Sequence, residues 1–120
     1  MRKVTKDWLE NGDDHGFFLI GSDDHGFYLI GETDRRAFYP AIIGLAKDKS
    51  HVAYSFEKLV RCFMDKKNWD WDTAMEWVIY YVERALPYYG DKAPVILPNN
   101  FISSRNKYYE PIKIVEDENG

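Results

Sequence analysis

The stretch "HVAYSFEKLVRCFMDKKNWDWDTAMEWVIYYVERAL", residues 51–86, changes its hydrophobic period part-way along. His51-Val52-Ala53-Tyr54 is a short β-prone run. After Ser55, the residues Phe56, Leu59, Val60, Phe63 and Met64 recur at i, i+3, i+4, i+7 and i+8, the spacing of an amphipathic helix. Ser55 is a favourable N-cap. The pattern therefore predicts a first helix from Phe56 to about Lys66, with Lys66 and Lys67 placed where cations complement the helix dipole. Asp70 is the expected cap of a second helix reaching about Leu86. Its core stripe is Trp71, Ala74, Met75, Val78, Val82, Ala85 and Leu86. Pro87 stops that helix, and Tyr88-Tyr89-Gly90 turns the chain.

Upstream the pattern is of strands. "DDHGFFLIGSDDHGFYLIG", residues 13–31, writes ten residues almost twice. Ten is even, so a duplicated strand keeps each residue type on the same face. Phe17 and Phe27 share a face with Leu19 and Leu29; Phe18 and Tyr28 share the other with Ile20 and Ile30. The Asp-Asp-His-Gly groups suit turns. The expectation is a meander: a short strand near Trp8, then strands 17–21 and 27–31. Residues 37–46, "AFYPAIIGLA", read as a further strand in which Pro40 marks the start or an edge. Lys47 to Ser50 form a hairpin loop returning into the strand at His51. Downstream, Pro94 to Pro98 hold one short strand. Tyr108 to Val115 form a last edge strand interrupted by Pro111, and Glu116 to Gly120 an acidic frayed end.

These readings give an α+β fold: antiparallel meander and hairpins, two α-helices, and one or two closing strands. The 120 residues form one domain, divided into a repeat meander (1–36), a strand-helix-helix-strand core (37–98) and a tail (99–120). A net charge of −4 argues against a dedicated nucleic-acid binder. A minor basic-aromatic group, Arg35, Arg36, Arg105 and Lys107 with Tyr108 and Tyr109, does not reverse that balance. The single cysteine, Cys62, excludes an intrachain disulfide and a cysteine-cluster zinc site. It fits a reducing cytoplasm. "MRKVTKDWLE" lacks the apolar run of a signal peptide. No segment approaches the roughly 20 apolar residues of a membrane span.

Candidate chemistry is sparse. The two Asp-Asp-His groups offer metal-binding types, but turns at successive strand junctions lie at opposite ends of a sheet. They stand about one strand length apart, on the order of 17 Å, and so cannot share an ion. Gly16 to Gly21 has the outer spacing of a phosphate loop, yet Ser22 stands where Lys is required. Cys62 and His51 lack a third orienting group for a thiol nucleophile. Glu76 and Glu83 are about 10 Å apart in helical rise, too far to share a proton or a metal. The expectation is a protein that is not an enzyme and needs no metal or cofactor. Aromatic residues reach 17%. Trp77 and Tyr80 fall on the polar side of the second helix with Glu76, Glu83 and Arg84, and Trp69 lies just before it. This acidic-aromatic set is the expected partner-binding surface.

Pro40-Ala41-Ile42-Ile43-Gly44, Tyr54, Arg84-Ala85-Leu86-Pro87-Tyr88 and Gly90-Asp91-Lys92-Ala93-Pro94 together resemble a group of small bacteriophage and prophage proteins of Gram-positive bacteria. The resemblance covers about residues 38–97. It implies a phage-encoded accessory protein of the host cytoplasm that binds and inhibits a bacterial protein, such as a CRISPR nuclease or another defence protein. Two other classes follow from the residues alone. One is a structural homo-oligomer burying the same aromatics; the other is a metal-dependent enzyme using the Asp-Asp-His turns.

Overall fold

The computed structural model describes residues 2–10, 18–22, 28–30, 35–98 and 107–116. In chain order the elements are β1 (Arg2–Thr5), α1 (Lys6–Glu10), β2 (Ile20–Ser22), β3 (Tyr28–Ile30), a 3₁₀ helix (Arg36–Ala41), β4 (Ile42–Ala46) and β5 (Val52–Ser55). Then come α2 (Phe56–Lys67), α3 (Trp71–Trp77), a π-helical segment (Val78–Glu83), a second 3₁₀ segment (Leu86–Lys92), β6 (Val95–Leu97) and β7 (Tyr109–Val115). The class is α+β. No helix among the described residues is long and apolar enough to cross a membrane.

Both helix starts follow from their caps. Ser55 Oγ accepts the Lys58 N–H at 3.2 Å, and Asp70 Oδ1 accepts the Thr73 N–H at 2.8 Å. Each bond satisfies a first-turn donor that the helix itself leaves unpaired. α2 buries Leu59, Val60, Cys62 and Phe63. It ends at Asn68, in the left-handed conformation (φ 56°, ψ 43°), whose N–H returns to the Met64 carbonyl. Asn tolerates that conformation better than most residues.

The second helix departs from the expected continuous run to Leu86. α3 stops at Trp77 and the next six residues wind as a π-helix. The buried residues are Ala74, Val78, Val82 and Leu86. A constant step of four drifts about 40° per step on an α-helix; the wider π turn keeps Val78 and Val82 facing the core.

A five-stranded sheet has the order β1-β7-β4-β5-β6, and β2 pairs with β3 separately. The β4–β5 hairpin is antiparallel, as the sequence predicts, with a register shift between Ile42 and Gly44. β5 and β6 are parallel, Tyr54 opposite Ile96. The two helices supply the crossover that a parallel pair requires.

The N-terminal and C-terminal segments correct the purely antiparallel expectation. The residues around Trp8 form α1, not a strand. β1 lies before α1 and pairs in parallel with β7, Arg2 opposite Ile112. β7 is therefore an inner strand, not an edge. Pro111 fits there because Gly44↔Pro111 is a position without ladder bonds to β4. The bond from Lys47 N to the Tyr108 carbonyl at 2.8 Å places the bonded positions one residue either side of it. Its nitrogen faces the β1 side, one register position before Arg2.

Residues Arg36–Ala41 likewise form a 3₁₀ helix where a strand start was expected. The fixed φ of Pro40 suits such a turn. The turn buries Phe38 and Tyr39, and the Phe38 ring lies 4.6 Å from that of Phe63.

β2 and β3 pair antiparallel, Ile20 opposite Ile30, so the two copies of the repeat meet with matching parity. Among the described residues β2 begins at Ile20, so Phe18 and Leu19 of the expected strand 17–21 lie before it. Both Asp-Asp-His groups, Phe17, Phe27 and Arg105 lie outside the described residues. The repeat is tied to the core at Ile20, whose N–H donates to the buried Tyr54 Oη at 3.0 Å. Phe18 N donates to the Lys92 carbonyl at 3.1 Å, and its ring lies 5.4 Å from that of Tyr89.

Candidate binding face and adjoining cleft

Four rings run outward from the core beside α3. Phe63 stacks near Trp69 (6.4 Å, 13° between planes), Trp69 meets Trp77 at 5.1 Å, and Trp77 meets Tyr81 at 4.3 Å. Offset and tilted contacts at these distances are favourable. Trp69 and Trp77 are partly buried and pack against the core, so they form the base of a face more than its surface. The Trp77 Nε1 donor is buried and has no hydrogen-bond partner among the described residues.

The surface is made of tyrosines. Tyr80 and Tyr81 are 51% and 57% exposed, and Tyr88 is 90% exposed. The Arg84 guanidinium lies 4.9 Å from the Tyr80 ring centroid, a cation–π contact. Of the residues the sequence selected, Glu76, Tyr80, Glu83 and Arg84 are exposed. Tyr81 and Tyr88 were not selected. Tyr81 lies at i+4 from Trp77, a neighbour on any helical surface, and that spacing was the signal available for it.

Glu83 turns from this face into a cleft of about 650 Å³ between the second 3₁₀ segment, β6 and the β4–β5 turn. Its apolar lining includes Leu86, Pro87, Pro94, Val95 and Ile96, and its polar lining Asp48, Ser50, His51, Glu83 and Asp91. The β4–β5 turn is built by Asp48. Its Oδ1 accepts the Ser50 N–H at 3.0 Å and the Ser50 Oγ–H at 2.6 Å. These bonds hold the Asp48 carboxyl below its ordinary range. The Ser50 proton is thus committed to Asp48, so Ser50 Oγ accepts from His51 Nδ1 at 2.8 Å. His51 Nε2 then accepts the Tyr109 hydroxyl at 2.8 Å. This assigns His51 as the neutral Nδ1–H tautomer. Burial lowers its pKa further, against the pull of Asp48 and Asp91. Desolvation raises Glu83 and, with the charge of Asp48, Tyr109.

Both ring nitrogens of His51 are occupied in this relay. Ser50 lies between the acid and the imidazole, so the order is not that of a nucleophilic triad, in which the imidazole lies between. The sequence placed Lys47 to Ser50 only as a loop. The Asp48-Lys49-Ser50 spacing of an Asx turn was legible, but the Tyr109 partner, 58 residues away, was not. Cys62 lines a different cavity. It is buried, and burial pushes its thiol up to about 11, unsuited to a nucleophile at neutral pH. No group of three or more His, Cys, Asp or Glu among the described residues has metal-binding geometry.

In comparisons with known proteins, no family profile, no curated protein and no solved structure matches the chain.

Proposed function

We propose that the chain is a protein-binding module that acts without catalysis, engaging a bacterial host protein through the tyrosine face of the π-helical segment. The carrying observation is that Tyr80 and Tyr81 stand exposed on the π-helical segment and Tyr88 on the 3₁₀ segment that follows it, with Tyr81 resting on Trp77 and Trp77 on Trp69. Large rings already held in position bring contact area to an interface at small entropic cost, and tyrosine is favoured at interface hot spots. The resemblance to phage accessory proteins supplies the setting: inhibition of a host protein, a defence nuclease among them.

The test is affinity capture from a host lysate with the wild-type chain and a Tyr80→Ala/Tyr81→Ala variant, with unfolding curves confirming that both are folded. A protein recovered by the wild type and lost by the variant supports the proposal. Equal recovery by both, or no recovery by either, overturns it. Light scattering on the wild type separates the homo-oligomer reading, because a dimer that dissociates in the variant assigns the face to a second copy.

A further inference from the structure

The cleft beside the tyrosine face has a floor of Leu86, Pro94, Val95 and Ile96 and a rim carrying Asp48, Glu83 and Asp91. Asp48 Oδ1 is taken by Ser50, which leaves Oδ2 for an incoming donor. His51 contributes a neutral wall, since both of its nitrogens are engaged. Lys92 is the nearby cation whose charge reaches both Asp48 and His51, and it offsets one of the three carboxylates. An apolar floor beneath an acidic rim matches one kind of side chain: an alkyl stem ending in a cation.

We infer that this cleft receives a lysine or arginine side chain of the protein partner, with its stem against Leu86 and Ile96 and its charged head between Asp48 and Glu83. The inference rests on the protein-binding reading above and names the partner's chemistry at the edge of that face. A side chain is favoured over a free amine because Glu83 and Pro87 of the cleft lining adjoin Arg84 and the exposed Tyr88 in the chain, so that a partner lying on the tyrosines passes the cleft. Charge pairing of this kind selects among partners as well as binding them.

The test uses the full chain, labelled with ¹⁵N, and four capped pentapeptides, Ac-Ala-Leu-X-Leu-Ala-NH₂, with X as Lys, Arg, norleucine or Glu. The expected result is saturable shifts of the His51, Glu83, Val95 and Ile96 amides with the Lys and Arg peptides. The norleucine peptide, which keeps the stem and lacks the charge, binds about tenfold more weakly, a difference of about 1.4 kcal/mol. Asp48→Asn/Glu83→Gln weakens the Lys peptide by a similar factor; Asn retains an acceptor for Ser50, so the turn survives. Equal binding of the Lys and norleucine peptides overturns the inference. So does stronger binding of the Glu peptide, or the absence of shifts at these amides. Tyr81→Ala separates the two readings. If it loses the host protein but keeps the Lys peptide, face and cleft are both supported. If the host protein is captured through the tyrosines and no peptide enters the cleft, only the cleft assignment falls.

Discussion

Replacing Tyr54 with Phe removes one oxygen from the centre of the molecule. Tyr54 is fully buried, and its hydroxyl accepts the N–H of Ile20, also fully buried, at 3.0 Å. Phe fills the same volume, so no cavity term arises. The change leaves the Ile20 N–H without its acceptor, away from water. An unpaired buried donor costs about 1–3 kcal/mol. For a chain of this length each kcal/mol corresponds to about 3–6 °C, so Tm falls by roughly 3–18 °C. Urea unfolding followed by circular dichroism measures the loss, with an unchanged m-value showing that the exposed area is the same. Amide exchange at Ile20 locates it: protection there falls more than in α2, because β2 loses its tie to the sheet. Stability within about 0.5 kcal/mol of wild type, a change too small for a lost buried bond, together with retained protection at Ile20, would refute the reasoning.

Phe63→Ala, which empties the ring site shared by Phe38 and Trp69, costs about 3–5 kcal/mol, read from denaturant midpoints. The same variant loosens Trp69 and weakens the near-ultraviolet circular dichroism of the Trp69–Trp77 pair. Because burial lowers His51 below its ordinary 6.5, the stability it contributes is full above that value and declines as pH falls through it. His51→Gln therefore flattens the stability profile between about pH 7 and 5, measured by thermal melts across that range. Glu10, lowered chiefly by its paired bonds to Arg36 at 2.8 and 2.9 Å, acts in a lower window. Its contribution is present above 4.5 and lost as pH falls further, so Glu10→Gln lowers stability at neutral pH, removes the slope at acid pH, and brings the two proteins together as pH falls.

The parts of the fold that were legible in the sequence are those settled by neighbours in the chain. Ser55 and Asp70 each cap a helix three residues on, and the i, i+4 stripe of α2 faces the core as its spacing dictates. Pro40 and Pro111 misled because proline reports only what its own nitrogen and φ forbid. Whether the missing donor falls in a 3₁₀ turn or at an unbonded ladder position depends on partners elsewhere. The parallel pairing of β1 with β7 has no local signature at all. The candidate site divides in the same way. Glu76, Tyr80, Glu83 and Arg84 reach the surface as helical spacing predicts, while the π turn and the tilted contact with Trp69 decide how Trp77 and Tyr81 are used. The His51 relay needed Tyr109 from β7, which only the assembled sheet supplies.

The β1–β7 pair has a consequence for how the chain is made and cut. Arg2 and Glu110 join across 108 residues, at 2.8 Å, and Lys6 reaches Glu116 at 2.6 Å. During synthesis β1 leaves the ribosome before β7 and waits, unpaired, until β7 has emerged. Closing so long a loop is slow and leaves strand edges open meanwhile. The hairpin of β4 and β5 can form earlier, but its β4 side remains an exposed edge for the same interval. A truncation before Tyr109 would therefore do more than trim an end. It would remove the strand between β1 and β4, releasing the N-terminal strand and the Tyr109 support of His51 in a single cut.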